Sequence, residues 1–194
     1  MALSGEKSRV QQYYHRFVPT YRDCQHCSIA QYSCCKCHYR GYMPPQILFI
    51  GEAPGESEIV LNGVPFVGRA GKLLDHWIQS VIEGGVSFTH GCMNLVACRP
   101  CDGPSQPNRK PTSMEIANCI GRFTALLQLA KPTAIVLLGR VARDNLPSWV
   151  YDQWGNKILS LIHPAAVCRM GGIKSCKSRE CIRKLRTFVV EMVK

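Results

Sequence analysis

The sequence predicts an α/β fold: a three-layer α/β/α sandwich around a central, mainly parallel four-stranded sheet. Two observations carry that prediction. Short apolar runs alternate with stretches of helical periodicity, and the runs end in loops rich in Gly and Pro, the place where a parallel sheet gathers its ligands. At 194 residues, 46% of them hydrophobic, the chain has apolar mass for one core and too little for two.

The segment Gln46-Ile-Leu-Phe-Ile50 is a continuous apolar run, as a parallel strand covered on both faces must be. It delivers the loop Gly51-Glu-Ala-Pro-Gly55 to the carboxyl edge of the sheet, where the loop is expected to line a site. After the turn Gly63-Val-Pro-Phe66, the stretch from Gly71 to Ile82 sets Leu74, Trp77, Ile78, Val81 and Ile82 at helical spacing. Cys92 to Val96 reads as a second strand, Met114 to Leu129 as a helix entered just after Pro111, and Ala134 to Leu138 as a third strand stopping at Gly139. Arg140 to Leu146 follows as a short helix. A fourth strand, Lys157 to Ile162, runs into His163-Pro164, and a basic helix from about Ser178 to Val193 closes the chain. Residues 1–20 read as an amino-terminal arm and residues 21–194 as a single domain.

The 24 Lys and Arg against 13 Asp and Glu give a formal charge of +11, and the basic residues crowd into Arg99–Lys110 and Lys174–Arg186. Such crowding fits a polyanionic partner, nucleic acid, better than a solvated basic face. No stretch approaches the roughly 18 apolar residues of a spanning helix, and the first ten residues lack the apolar run of a signal peptide. A cytoplasmic location without a membrane partner is therefore expected. In that reducing compartment the twelve cysteines are expected to serve a metal or cluster before disulfides. The glycines of Gly51–Gly55 raise the question of a phosphate loop, but no Gly-Lys-Ser/Thr and no GxGxxG follows the strand.

Four separated stretches, in order, resemble the family 4 (iron–sulfur) uracil-DNA glycosylases: Gly51–Gly55 with Glu58 and Gly63–Gly71; Asn94-Leu-Val-Ala-Cys-Arg-Pro100; Asn108-Arg-Lys-Pro111 with Glu115 and Cys119; and His163-Pro-Ala-Ala-Val-Cys-Arg169. The resemblance runs from about Cys24 to the carboxyl end. It implies a uracil-DNA glycosylase-like fold and a monomeric, monofunctional enzyme that hydrolyses the N-glycosidic bond of uracil in single- or double-stranded DNA, leaving an abasic site for base excision repair. Such a reaction passes through an oxocarbenium-like sugar with charge leaving on the base, so positioned donors count for more than a strong nucleophile.

The resemblance also implies roles. His163 would donate to the uracil O2 as charge builds there; its plain alternative is a histidine capping a strand. Asn94 would read the pyrimidine edge with one acceptor and two donors. Phe66 would stack on the flipped base, or else be an ordinary core residue. Glu52 and Glu58 are the carboxylates for placing water, while Gly51, Ala53, Asn108 and Arg169 would line or contact the substrate. Arg99, Arg109 and Lys110 would join Arg169 on backbone phosphates. One departure stands beside Glu58, where Ile59 replaces the family's common Asp.

Cys24, Cys27, Cys98 and Cys119 match in order the four thiolates that hold a [4Fe–4S] cluster in this family. Zinc on four thiolates, or on three and an imidazole, is the alternative, with Cys101 able to replace Cys98 and with Cys34, Cys35, Cys37 and His38 as rival ligands. Cys176 and Cys181 read as free thiols or helix residues, and Cys92 and Cys168 as buried. Two other functions remain open: a catalytically weak base- or lesion-binding module of the same fold, and a glycosylase for another modified or deaminated base.

Overall fold

Successive residues of a strand point to opposite faces of a sheet, and two hydrophobic cores follow that alternation. The computed structural model describes residues 9–193. In it Leu48, Ile50, Ile135 and Leu137 join Phe123, Leu126, Leu127 and Trp154 in one core, while Ile47, Phe49, Val136 and Leu138 join Leu74, Trp77, Leu185 and Val189 in the other. The sheet between them is the middle layer of an α/β/α sandwich.

The strands are β1 (Arg40–Gly41), β2 (Ile47–Gly51), β3 (His90–Asn94), β4 (Ala134–Leu138) and β5 (Ile158–Leu161), in spatial order β1-β3-β2-β4-β5. All pairings among β2 to β5 are parallel, and β1 lies antiparallel on β3 with Arg40 opposite Cys92. The sheet therefore has five strands where four were expected. The added edge strand is two residues long, too short for any periodicity to announce it.

Helices α1 (Val18–Arg22), α2 (Glu56–Val60), α3 (Arg69–Glu83), α4 (Ser113–Ala130), α5 (Arg140–Asp144), α6 (Ser148–Trp154), α7 (Pro164–Arg169) and α8 (Cys176–Met192) complete the fold. Helix α4 starts at a reciprocal cap: Thr112 Oγ1 accepts the Glu115 N–H, and the Glu115 carboxylate accepts the Thr112 N–H. Helices α3 and α8 are tied together on their face of the sheet by Trp77, whose indole N–H donates to Ser178 Oγ at 2.8 Å.

Residues 1–8 of the expected arm lie outside the described residues. Its described part is helical: a π-helical turn, Tyr13–Phe17, runs into α1, buries Phe17 in the first core, and is joined by Arg9 donating to the Leu129 carbonyl. Among the described residues no helix is long and apolar enough to cross a membrane.

Candidate active site

Strands β2 and β3 end side by side, with Gly51 opposite Asn94 in the ladder. The ladder then continues past both strands, Leu95 N–H bonding to Gly51 O and Val96 N–H to Glu52 O, which anchors the loop after β2 against the segment after β3. Above this edge opens a cleft of about 630 Å³. Its walls include Glu52, Ala53, Glu58, Phe66, Asn94, Asn108, His163 and Arg169, drawn from four separate stretches of chain.

Gly51 lies beneath the cleft and sets how closely its walls approach. A Cβ at this position would stand 2.5 Å from the Asn94 amide oxygen and 2.5 Å from Phe66 Cζ, so only a residue without a side chain lets the two meet. Phe66 is itself held at φ +59°, a left-handed conformation that costs an aromatic residue energy and persists where surrounding structure enforces it. Gly71 in the first turn of α3 makes room for that backbone, since any Cβ there would run into the Phe66 carbonyl. The Phe66 ring stands 6.4 Å from the His163 ring at an interplanar angle of 29°.

Asn94 is 2% exposed, and its side-chain amide oxygen has no hydrogen-bond partner. A buried acceptor left unpaired costs roughly 1–3 kcal/mol, and of the four buried side-chain atoms without a partner among the described residues only this one belongs to a residue that lines the cleft. His163 ends the segment after β5 and caps α7: its Nδ1 accepts the Ala165 N–H at 3.1 Å. That bond uses the Nδ1 lone pair and leaves the proton on Nε2. Burial, reinforced by the charge of Arg169, pushes the His163 pKa down to about 4. The ring is therefore neutral at physiological pH and presents one N–H donor.

The two acidic candidates differ in what they are free to do. Burial raises the pKa of Glu52, against the opposing charge of Lys110, and its carboxylate faces the cleft. Glu58 is buried, and both of its oxygens accept backbone N–H groups, from Gly55 at 3.0 Å and from Gly68 at 3.3 Å. It clamps the two ends of the loop that carries Phe66. Glu58→Gln keeps one acceptor and sets an NH2 group against an amide; the expected cost is about 1–2 kcal/mol, read as a lowered urea midpoint at unchanged m-value.

The arginines expected on phosphates divide in the same way. Arg99 spends its guanidinium on Asn108 Oδ1 (2.5 Å) and on the Pro104 and Gln106 carbonyls, folding the 101–107 segment onto itself. Arg109 pairs with Asp102 and bidentately with Glu115. Arg169 and Lys110 stay exposed at the cleft rim. Arg69, to which the motifs give no role, joins them there and also donates to the Cys168 carbonyl. Cys168 is partly exposed, not buried as expected, while Cys92 is buried.

A second cavity, of about 200 Å³, lies behind the Asn94 edge. Cys24, Cys27, Cys98 and Cys119 all line it, with Lys36, Asn118 and Arg122. The thiols lie near enough to disfavour one another's charge: Cys27 is raised by burial and then by Cys119 and Cys24, and Cys98 is pushed up to about 11 by burial, with Cys119 and Cys27 adding to it and Lys36 opposing. Cys101 is buried but does not line this cavity, and Cys34 and Cys35 donate to the Ile59 carbonyl instead. Among the described residues no three His, Cys, Asp or Glu side chains close on a single-ion geometry. The four thiols share the lining of this one cavity.

Compared with known proteins, residues 40–186 match the family model described as the uracil DNA glycosylase superfamily. This chain belongs to that superfamily. Within it, the chain is similar to the type-4 uracil-DNA glycosylase of Archaeoglobus fulgidus, 34% identical over 165 residues that cover 70% of this chain and 78% of that protein. It is likewise 38% identical over 126 residues to the type-4 enzyme of Saccharolobus solfataricus (64% of this chain, 55% of that protein) and 34% identical over 146 residues to that of Thermotoga maritima (66% and 69%). The superfamily match spans every cleft residue named above together with Cys98 and Cys119; Cys24 and Cys27 precede it.

Proposed function

We propose that this glycosylase takes a uracil flipped out of DNA into the cleft and hydrolyses its N-glycosidic bond, the first step of base excision repair. The observation that carries the reading is the buried, partnerless amide oxygen of Asn94 at the cleft wall. An extruded uracil offers the matching N3–H donor, and the Asn94 NH2 group matches O4. Phe66 gives the base a face to stack on.

Water attacks C1′ as the C1′–N1 bond breaks, and the bonding pair leaves on the base, where it spreads to O2. The Nε2–H of neutral His163 donates to that developing oxyanion, a bond that strengthens as charge builds. Glu52 holds the attacking water and takes its proton. Glu58 keeps the loop closed around the base. Arg169 and Lys110 contribute sequence-independent attraction to phosphates. Residues 21–194 act as one catalytic domain, and the active form is a monomer.

Cys24, Cys27, Cys98 and Cys119 fit a [4Fe–4S] cluster, because four thiols around a cavity of about 200 Å³ suit a multi-atom centre better than one tetrahedral ion. When bound, such a cluster supplies a covalent tie between the amino-terminal segment, the loop after β3 and helix α4.

Because His163 titrates at about 4 while Glu52 is raised, the acidic limb of kcat belongs to Glu52. Activity is expected to fall with decreasing pH as Glu52 gains its proton, with no separate inflection from an ordinary histidine. Glu52→Gln should flatten the limb at a low residual rate, and an inflection near 6.5 surviving in that variant would contradict the assignment.

The direct test is anaerobic purification, an absorbance spectrum, and incubation with uracil-, thymine- and hypoxanthine-containing oligonucleotides followed by alkali. Brown protein that cleaves only at uracil, and only after alkali, is the expected result, with iron lost in Cys27→Ser. DNA binding without excision would favour a binding module; colourless, zinc-loaded protein would overturn the cluster.

A further inference from the structure

On the wall of the thiol cavity lies a buried cation that neither the base pocket nor the metal ligation uses. Arg122, 5% exposed on α4, donates through Nη2 to the backbone carbonyls of Asn94 (2.6 Å) and Leu95 (2.7 Å), and through Nε to Cys119 Sγ (3.3 Å). It takes part in none of the ion pairs among the described residues, and its Nη1 is buried without a partner. A buried guanidinium with no carboxylate needs another anion, and the sulfur it already touches becomes one when Cys119 is a metal-bound thiolate.

We propose that Arg122 is a positioning residue for Asn94, anchored at its other end by the metal-bound sulfur of Cys119, so that the loaded thiol centre steadies the residue that reads the base. This rests on the uracil-reading role of Asn94. The geometry of the guanidinium suits that role, since one rigid planar fork spans the sulfur and two consecutive carbonyls and so fixes the peptide that carries the Asn94 side chain. Two carbonyls held by one nitrogen keep that peptide from rotating, and the amide above it from swinging away from the base. The sulfur sets where the fork can sit, as outer-layer hydrogen bonds orient and tune metal ligands elsewhere.

The test compares metal-loaded wild type with Arg122→Met and Arg122→Lys. One readout is binding to DNA carrying 2′-fluoro-deoxyuridine, whose glycosidic bond resists cleavage, against the same DNA carrying thymidine. The other is the reduction potential of the centre, or the rate of metal release to a chelator if the centre is zinc. Arg122→Met is expected to reduce the uracil-over-thymine binding ratio at least tenfold with thymine-DNA affinity unchanged. It should also lower the potential, since a hydrogen bond to the ligand sulfur has been removed, or else speed zinc release. Arg122→Lys, a point donor that keeps the charge, is expected to fall between. An unmoved potential or release rate, or a ratio equal to wild type, overturns the proposal, as does equal weakening on both DNAs. Wild-type protein that does not distinguish the two DNAs instead fails the uracil-reading role of Asn94, and the Cys119 anchor is then judged on the metal readout alone.

Discussion

His163→Ala is expected to lower kcat on uracil-containing DNA on the order of 10²–10³-fold, the usual loss when one donor to a developing oxyanion is removed. KM should change little, because the His163 bond gains strength only as charge appears on the base. Single-turnover measurement with enzyme in excess isolates the chemical step from abasic-site release. The mechanism makes a finer demand on the ring. Its proton sits on Nε2 because Nδ1 accepts from Ala165, so a variant that keeps an N–H donor near the same place, His163→Gln, should recover part of the loss. A His163→Ala enzyme within a few-fold of wild type would remove this residue from the chemistry.

Asn94→Ala is expected to separate stability from activity in opposite directions. In the free protein the Asn94 amide oxygen is buried and unpaired, so its removal relieves a cost of roughly 1–3 kcal/mol and, after loss of packing, should leave the denaturation midpoint equal to or above wild type. On DNA the same truncation deletes the groups proposed to read the uracil edge, and kcat/KM should fall on the order of 10²–10³-fold. A destabilised variant that keeps its activity would make Asn94 an ordinary structural residue. Sites that sacrifice stability for function show the pattern predicted here.

The parts of this fold that the sequence announces are those with an unmistakable period or run. Strands β2 and β4 are uninterrupted apolar segments, and α3 carries its buried stripe at helical spacing. Strand β3 begins two residues before the expected Cys92, because His90 and Gly91 do not look like a buried strand although both lie in the ladder. Helix α6 was hidden by its length, with Val150 and Trp154 its only buried positions. At the site, the residue types of the cleft were readable from the motif resemblance, but their division of labour was not. Glu58, Arg99 and Arg109 carry the charges expected of catalytic or phosphate-binding groups, yet each is occupied by partners that meet it only after folding. Arg122 was invisible for the same reason, since nothing local marks an arginine whose partners are 3, 27 and 28 residues away.

The glycines that frame the cleft also constrain how such an enzyme can change over generations. Gly51 and Gly71 tolerate no added carbon without displacing Phe66 or Asn94, so neither can drift alone, and a descendant that altered one would need a simultaneous second change. The rim is different. Ala53, Ala70, Ala165 and Ala166 all line the opening, each with a small side chain that can lengthen. New base preference in this lineage should therefore arise by narrowing the mouth from these alanines, with the floor inherited intact.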